Sequence, residues 1–228
     1  MIKRVIHTAI TLAALLVSCR QDDLPDSMPT AHEGYVALRF SADIPAMQEV
    51  ITRSVDPDGG GVQDMTLFCF DSYGLFTTTV EAKVTPTGNG ADLTGNFEAE
   101  VPENTRTVHF LANQNMSEFK EDKFRNKSEA EVMALLEGSS GRMIYWARFT
   151  CDPDNDSKID AQMADKGNTI KMIRNHAQVS IDNPINEWIE VTGFVAYNTN
   201  AFGTVAPYHP EKGFDFEWPG KDDPFVTL

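Results

Sequence analysis

Six consecutive residues constrain this chain most. Met65-Thr66-Leu67-Phe68-Cys69-Phe70 carries no charge and is apolar on both of its alternating faces. A run this short, closed by the turn residues Asp71-Ser72-Tyr73-Gly74, is a central strand covered on both sides. Gly74 supplies a positive φ for the turn, and residues 75–84, rich in threonine and valine, return as the second arm of a hairpin. Elsewhere the pattern is half-buried. Val36, Leu38 and Phe40 alternate with Ala37, Arg39 and Ser41, and Phe97, Ala99 and Val101 alternate with Glu98 and Glu100. Residues 107–112, 143–149, 170–181 and 188–197 are further strands. One helix interrupts them: Ser128 and Glu131 have capping-box spacing, Val132, Met133, Leu135 and Leu136 form an apolar face, and Gly138 ends it. A shorter helical turn covers 117–124. About seven to eight strands with one short helical insert predict a mainly β fold, an immunoglobulin-like or transthyretin-like β-sandwich.

The first residues set the location. Lys3 and Arg4 precede an apolar run, 5–17, that is too short to span a bilayer and has the form of a signal-peptide core. Leu16-Val17-Ser18-Cys19 resembles the lipobox of bacterial lipoproteins, in which the signal is cut before the cysteine and the thiol carries lipid. Arg20-Gln21-Asp22-Asp23 resembles the acidic surface-export signal of lipoproteins in the Bacteroidetes. The expected organisation is a signal peptide over 1–19, a polar tether over 20–33, and a β-sandwich over 34–205. Residues 206–228 form a tail or the start of a truncated second β domain.

Charge limits the partners. The whole chain carries −15, and loss of 1–19 removes two cations and no acid, leaving −17. Such a surface repels nucleic acid and anionic headgroups. Of the three cysteines, Cys19 is assigned to lipid; Cys69 and Cys151 remain, in an oxidising compartment where a disulfide is possible, but Cys69, inside an apolar strand, reads as a buried thiol behaving as a small hydrophobe.

Four segments together, behind the lipobox, resemble the fimbrillin superfamily of the Bacteroidetes, lipoprotein pilins with their minor and anchor subunits. They are V-Q-D-M-T-L-F-C-F-D-S-Y-G-L-F (62–76), V-P-E-N-T-R-T-V-H-F-L-A-N-Q-N (101–115) with its Ala112-Asn113 pair, I-K-M-I-R-N-H-A-Q-V-S-I (170–181), and V-T-G-F-V-A-Y-N-T-N-A-F-G-T-V-A-P-Y (191–208). The resemblance covers roughly residues 1–208, the N-terminal portion of such proteins. It implies a surface-exposed fimbrial structural, anchor or adhesin subunit, held in the outer membrane by lipid and joined to other subunits by β-strand donation. It also implies that Arg53, in Thr52-Arg53-Ser54 beyond the first strand, matches the arginine after which polymerising members are cut. Anchor members keep lipid and strand, so membership alone does not imply cleavage.

Catalytic patterns are missing. None of the histidines at 7, 32, 109, 176 and 209 stands in a zinc-protease motif, and there is no nucleophile elbow or phosphate loop. No enzyme and no cofactor is expected. Asp152, Asp154, Asp156 and Asp160 fall on calcium-loop positions, but Ser157 replaces the glycine and Met163 the bidentate glutamate, so the stretch reads as a solvated acidic loop. A second functional reading is a non-polymerising surface lipoprotein binding glycan or host protein through its loops. Trp146, Trp188 and Trp218 are its candidate sugar platforms, with core or edge packing the commoner use of the first two.

Overall fold

The computed structural model describes residues 31–43, 62–86, 95–114, 116–118, 120–138, 143–175, 193, 195, 203–209 and 211–214. All belong to the compact unit Ala31–Leu228. The strands are β1 (Tyr35–Asp43), β2 (Met65–Phe70), β3 (Phe76–Glu81), β4 (Lys83–Pro86), β5 (Gly95–Pro102), β6 (Thr107–Ala112), β7 (Tyr145–Thr150), β8 (Thr169–Lys171) and β9 (Ile173–Arg174). Two short helices join them, α1 (Glu129–Met133) and α2 (Ile159–Asp165). A four-stranded sheet runs β4-β5-β1-β8 and a five-stranded sheet runs β3-β2-β6-β7-β9. The mainly β, two-sheet class read from the sequence is the class observed.

Two apolar layers result. Between the sheets lie Leu38, Phe40, Leu67, Phe97 and Phe110, among others. On the outer face of the five-stranded sheet, Phe68, Phe70, Leu111 and Trp146 meet Phe124 and the α1 residues Val132 and Met133. β2 is therefore buried along its whole length because each of its faces belongs to a different layer. Its turn is as expected: Gly74 has φ of 70°, its N–H reaches Asp71 O at 3.0 Å, and the Asp71 carboxylate accepts from Tyr73 and Leu75 N–H.

Several details differ from expectation. The hairpin arm does not stay in one sheet. It leaves the five-stranded sheet at Ala82, whose N–H bonds Met65 O at 2.9 Å, and continues as β4 in the other sheet. The long strand expected from residue 170 divides in the same way at Met172. β8 pairs parallel with β1, β9 pairs antiparallel with β7, and Met172 N–H bonds Asp43 O at 2.8 Å. Alternation is unbroken through both corners, since a buried residue at the crossing faces the shared core whichever sheet it enters.

The capping box of α1 is present, with Ser128 N–H donating to Glu131 at 2.8 Å and Glu131 N–H to Ser128 Oγ at 3.4 Å. The helix closes at Ala134, Leu135 is 41% exposed, and Gly138 does not end it. Gly138 instead lies where the chain passes Gly203, and a Cβ there would sit 3.2 Å from Asn175 Nδ2. The expected turn over 117–124 is two 3-10 turns, Met116–Glu118 and Glu121–Lys123. α2 was not expected. Its N-cap, Lys158, makes no side-chain cap, and Gln162 reaches back to organise the preceding loop through Asp152 N–H, Asn155 O and Ser157 O. With lysine rather than Ser, Thr, Asp or Asn at the N-cap, the start of this helix carries no signature in the sequence.

Candidate functional site

β1 is the element on which an assembly role would depend. It lies inside its sheet, paired antiparallel with β5 from Tyr35↔Pro102 to Ser41↔Asn96 and parallel with β8 over three residues. Val36, Leu38, Phe40 and Ala42 are buried, and Arg39 faces solvent with a cross-strand ion pair to Glu98 at 3.1 Å. Phe40 stacks on Phe97 at 5.3 Å and meets Phe110 edge-on at 4.9 Å. The segment after β1, which holds Arg53, lies outside the described residues, as does Cys19.

The edges of the five-stranded sheet are not equivalent. Along β3, Phe76 N–H donates to Lys127 O at 2.9 Å. Glu121 takes the Thr79 N–H at 2.9 Å and the Thr78 hydroxyl at 2.6 Å through one carboxylate oxygen. The Thr78 hydroxyl and then the Thr79 N–H hold the Glu121 carboxyl below its ordinary value. The chain thus occupies donors on this edge that an added strand would need.

A polar cluster that sequence reading missed lies on the outer face of that sheet. His109 is fully buried; its Nε2 meets Glu129 Oε1 at 2.6 Å, and its Nδ1 accepts the Trp146 indole N–H at 2.9 Å. Arg148 donates to both Glu129 oxygens, through Nε and, at 3.2 Å, through Nη2. An indole is only a donor, so Nδ1 carries no proton and Nε2–H donates to Glu129. Burial pushes the His109 pKa down against the pull of Glu129, in keeping with a neutral ring. Burial would raise the Glu129 carboxyl, but the His109 and Arg148 hydrogen bonds override it and hold it at about 2. The arrangement is that of an oriented histidine, yet both ring nitrogens are filled and no hydroxyl or thiol stands within the network. It joins α1 to β6 and β7. The signal was present: His109 interrupts an apolar strand, and Arg148 is its register partner.

The other expected residues fall as follows. Cys69 and Cys151 are buried free thiols, and burial pushes Cys69 up to about 12, which makes it inert at neutral pH. The four acids of the 152–160 stretch are not gathered. Asp152 accepts the Asp154 N–H at 2.9 Å, Asp160 lies in the first turn of α2, and no metal-holding group of three occurs among the described residues. Trp146 is 5% exposed inside the polar cluster, so it cannot serve as a sugar platform. Trp188, Trp218 and His176 lie outside the described residues. Asn113, of the Ala112-Asn113 pair, has φ of 63° and acts as a clamp: its side chain accepts from Gln63 N–H at 2.8 Å and donates to Met143 O at 3.2 Å. Ala206 and Phe214 pack in the outer apolar layer. No helix among the described residues is long and apolar enough to cross a membrane.

The fold defines a β-sandwich with one outer face covered by helix and coil. No family model matches the chain, and no curated protein does. Among solved structures it is similar to a fimbrial assembly protein from Parabacteroides distasonis, at 12% identity and a TM-score of 0.32, over 61% of this chain and 54% of that one. The chain thus matches about half the length of that protein.

Proposed function

We propose that this protein is a lipid-tethered, surface-exposed subunit of fimbrillin type, a structural, anchor or adhesin component without catalytic activity, joined to its neighbours by exchange of β strands. The observation that carries the reading is β1. It is the first strand among the described residues, it is interior, and four of its side chains fill the core, so its loss would open a continuous slot. Lipid on Cys19 would hold the domain at the outer membrane. Cleavage after Arg53 would free β1 and leave Phe97, Ala99 and Val101 of β5 without cover. Burial of Val36, Leu38 and Phe40 contributes about 5–8 kcal/mol as an upper bound, and a replacement strand of the same alternation would recover it. Main-chain hydrogen bonds to β5 would supply affinity and the alternate side chains register.

Limited trypsin digestion of the full chain, read by intact mass and size exclusion, tests this. The expected result is an early cut at Arg53, then oligomers or binding of an added peptide with the 35–43 sequence. Resistance of Arg53 while other sites are cut, or a stable cut monomer that ignores the peptide, would overturn the polymerising reading.

A further inference from the structure

A ring from outside the sheet is laid over the polar cluster. Residues 203–214 run across the outer face of the five-stranded sheet as a strap, with Val205, Ala206 and Phe214 in its apolar layer. Among the described residues, two backbone bonds tie the strap to the rest of the fold, Gly138 N–H to Gly203 O at 2.7 Å and Val205 N–H to Leu136 O at 3.1 Å. Its turn is closed on itself. His209 N–H donates to Gly213 O at 2.8 Å, Gly213 N–H returns to His209 O at 2.9 Å, and His209 Nδ1 accepts from Glu211 and Lys212 N–H. That turn delivers the Phe214 ring edge-on to His109, with centres 5.0 Å apart. The same ring lies 6.4 Å from the Trp146 ring and 5.8 Å from the Arg148 guanidinium.

While that ring is in place, His109 has no room for a second proton. Its Nε2–H goes to Glu129 and its Nδ1 takes the Trp146 indole N–H at 2.9 Å, so an imidazolium would set N–H against N–H. Among the described residues, the groups around it are Glu129 from α1, Arg148 and Trp146 from β7, Phe70 from β2 and Phe214 from the strap. Glu129 favours the charged ring and Arg148 opposes it, but burial is the larger influence and keeps the ring neutral. Withdrawal of Phe214 would admit water to Nδ1 and free the space into which the indole can turn. The strap is also the neighbour that can leave without breaking either sheet. A proton on His109 and a closed strap therefore oppose each other.

We propose that residues 203–214 form an acid-released strap, shut while His109 is neutral and driven off the sheet face when that ring takes a proton. The device is independent of β1 and does not rest on the assembly reading. With the strap open, His109 titrates near the ordinary 6.5; with it shut, lower. Closure is therefore favoured in full above 6.5 and loses ground as pH falls below it. Hydrogen exchange of the full chain, read by mass spectrometry and normalised to the intrinsic amide rate at each pH, tests this. From pH 7.5 to pH 5.5 the opening of peptides spanning 203–214 should rise severalfold, to a limit of about tenfold, while β2 and β6 stay protected. His109→Gln should flatten the response. Should that variant not fold, Phe214→Ala carries the test: it removes the covering ring and leaves both His109 bonds in place, so its strap should exchange fast at pH 7.5 and gain little from acid. His209→Asn should keep the response, because asparagine can accept the same backbone N–H groups. A strap equally protected at both pH values, equal loss of protection in β2 and β6, or a response that persists in His109→Gln or Phe214→Ala or is lost in His209→Asn, would overturn the proposal.

Discussion

Glu129 is one carboxylate serving two donors on different strands, and acid should reveal it first. Its folded value of about 2 lies below the ordinary 4.5, so it contributes stability that is fully present above 4.5 and is lost as pH falls from there towards 2. The difference corresponds to about 3 kcal/mol. His109 acts in the same direction at higher pH. Its folded value is depressed, so below 6.5 the unfolded chain takes a proton that the folded one refuses. Urea titrations from pH 7 to pH 2 should show stability falling in that order. Glu129→Gln should cost about 3 kcal/mol at pH 7, because two buried donors then share a weaker acceptor. The gap to the parent should close towards pH 2; a constant gap would mean that the carboxylate charge is not what binds these strands.

Strand edges are the next scale. β3 would be an open edge without the 3-10 turn that places Glu121 on it, and threonine-rich edges invite further strands. Glu121→Ala should leave the fold nearly intact, since the residue touches only the edge. Sedimentation velocity should nevertheless show a faster-sedimenting fraction that the parent lacks at equal concentration. If the variant sediments as the parent does, the edge is guarded by Phe76 and Lys127 alone. At the corners, Ala82 and Met172 carry strands from one sheet to the other. Sequence patterning is blind to such crossings, because an alternating run has the same period on either side of them.

At the scale of the whole molecule, the reading joins a domain to an anchor. Cys19→Ala should abolish metabolic labelling by a fatty-acid analogue and release or strand the precursor. Equal labelling of variant and parent would remove the lipid anchor from the proposal. On the proposed reading, β1 is the described strand nearest in sequence to Cys19, so freeing β1 would part the domain from its lipid.

Residue order alone determined the two-sheet class, the buried β2, the alternation of β1 and β5, the Asp71–Gly74 turn and the Ser128 cap. Each rests on contacts between near neighbours or on a fixed period, and both are written along the chain. Only the tertiary structure decided the rest. The His109–Glu129–Arg148 cluster joins residues from three elements. The edge of β3 is closed by Glu121, and the 169–174 strand divides between the two sheets. All three depend on where distant segments meet, and local propensity carries no information about that meeting.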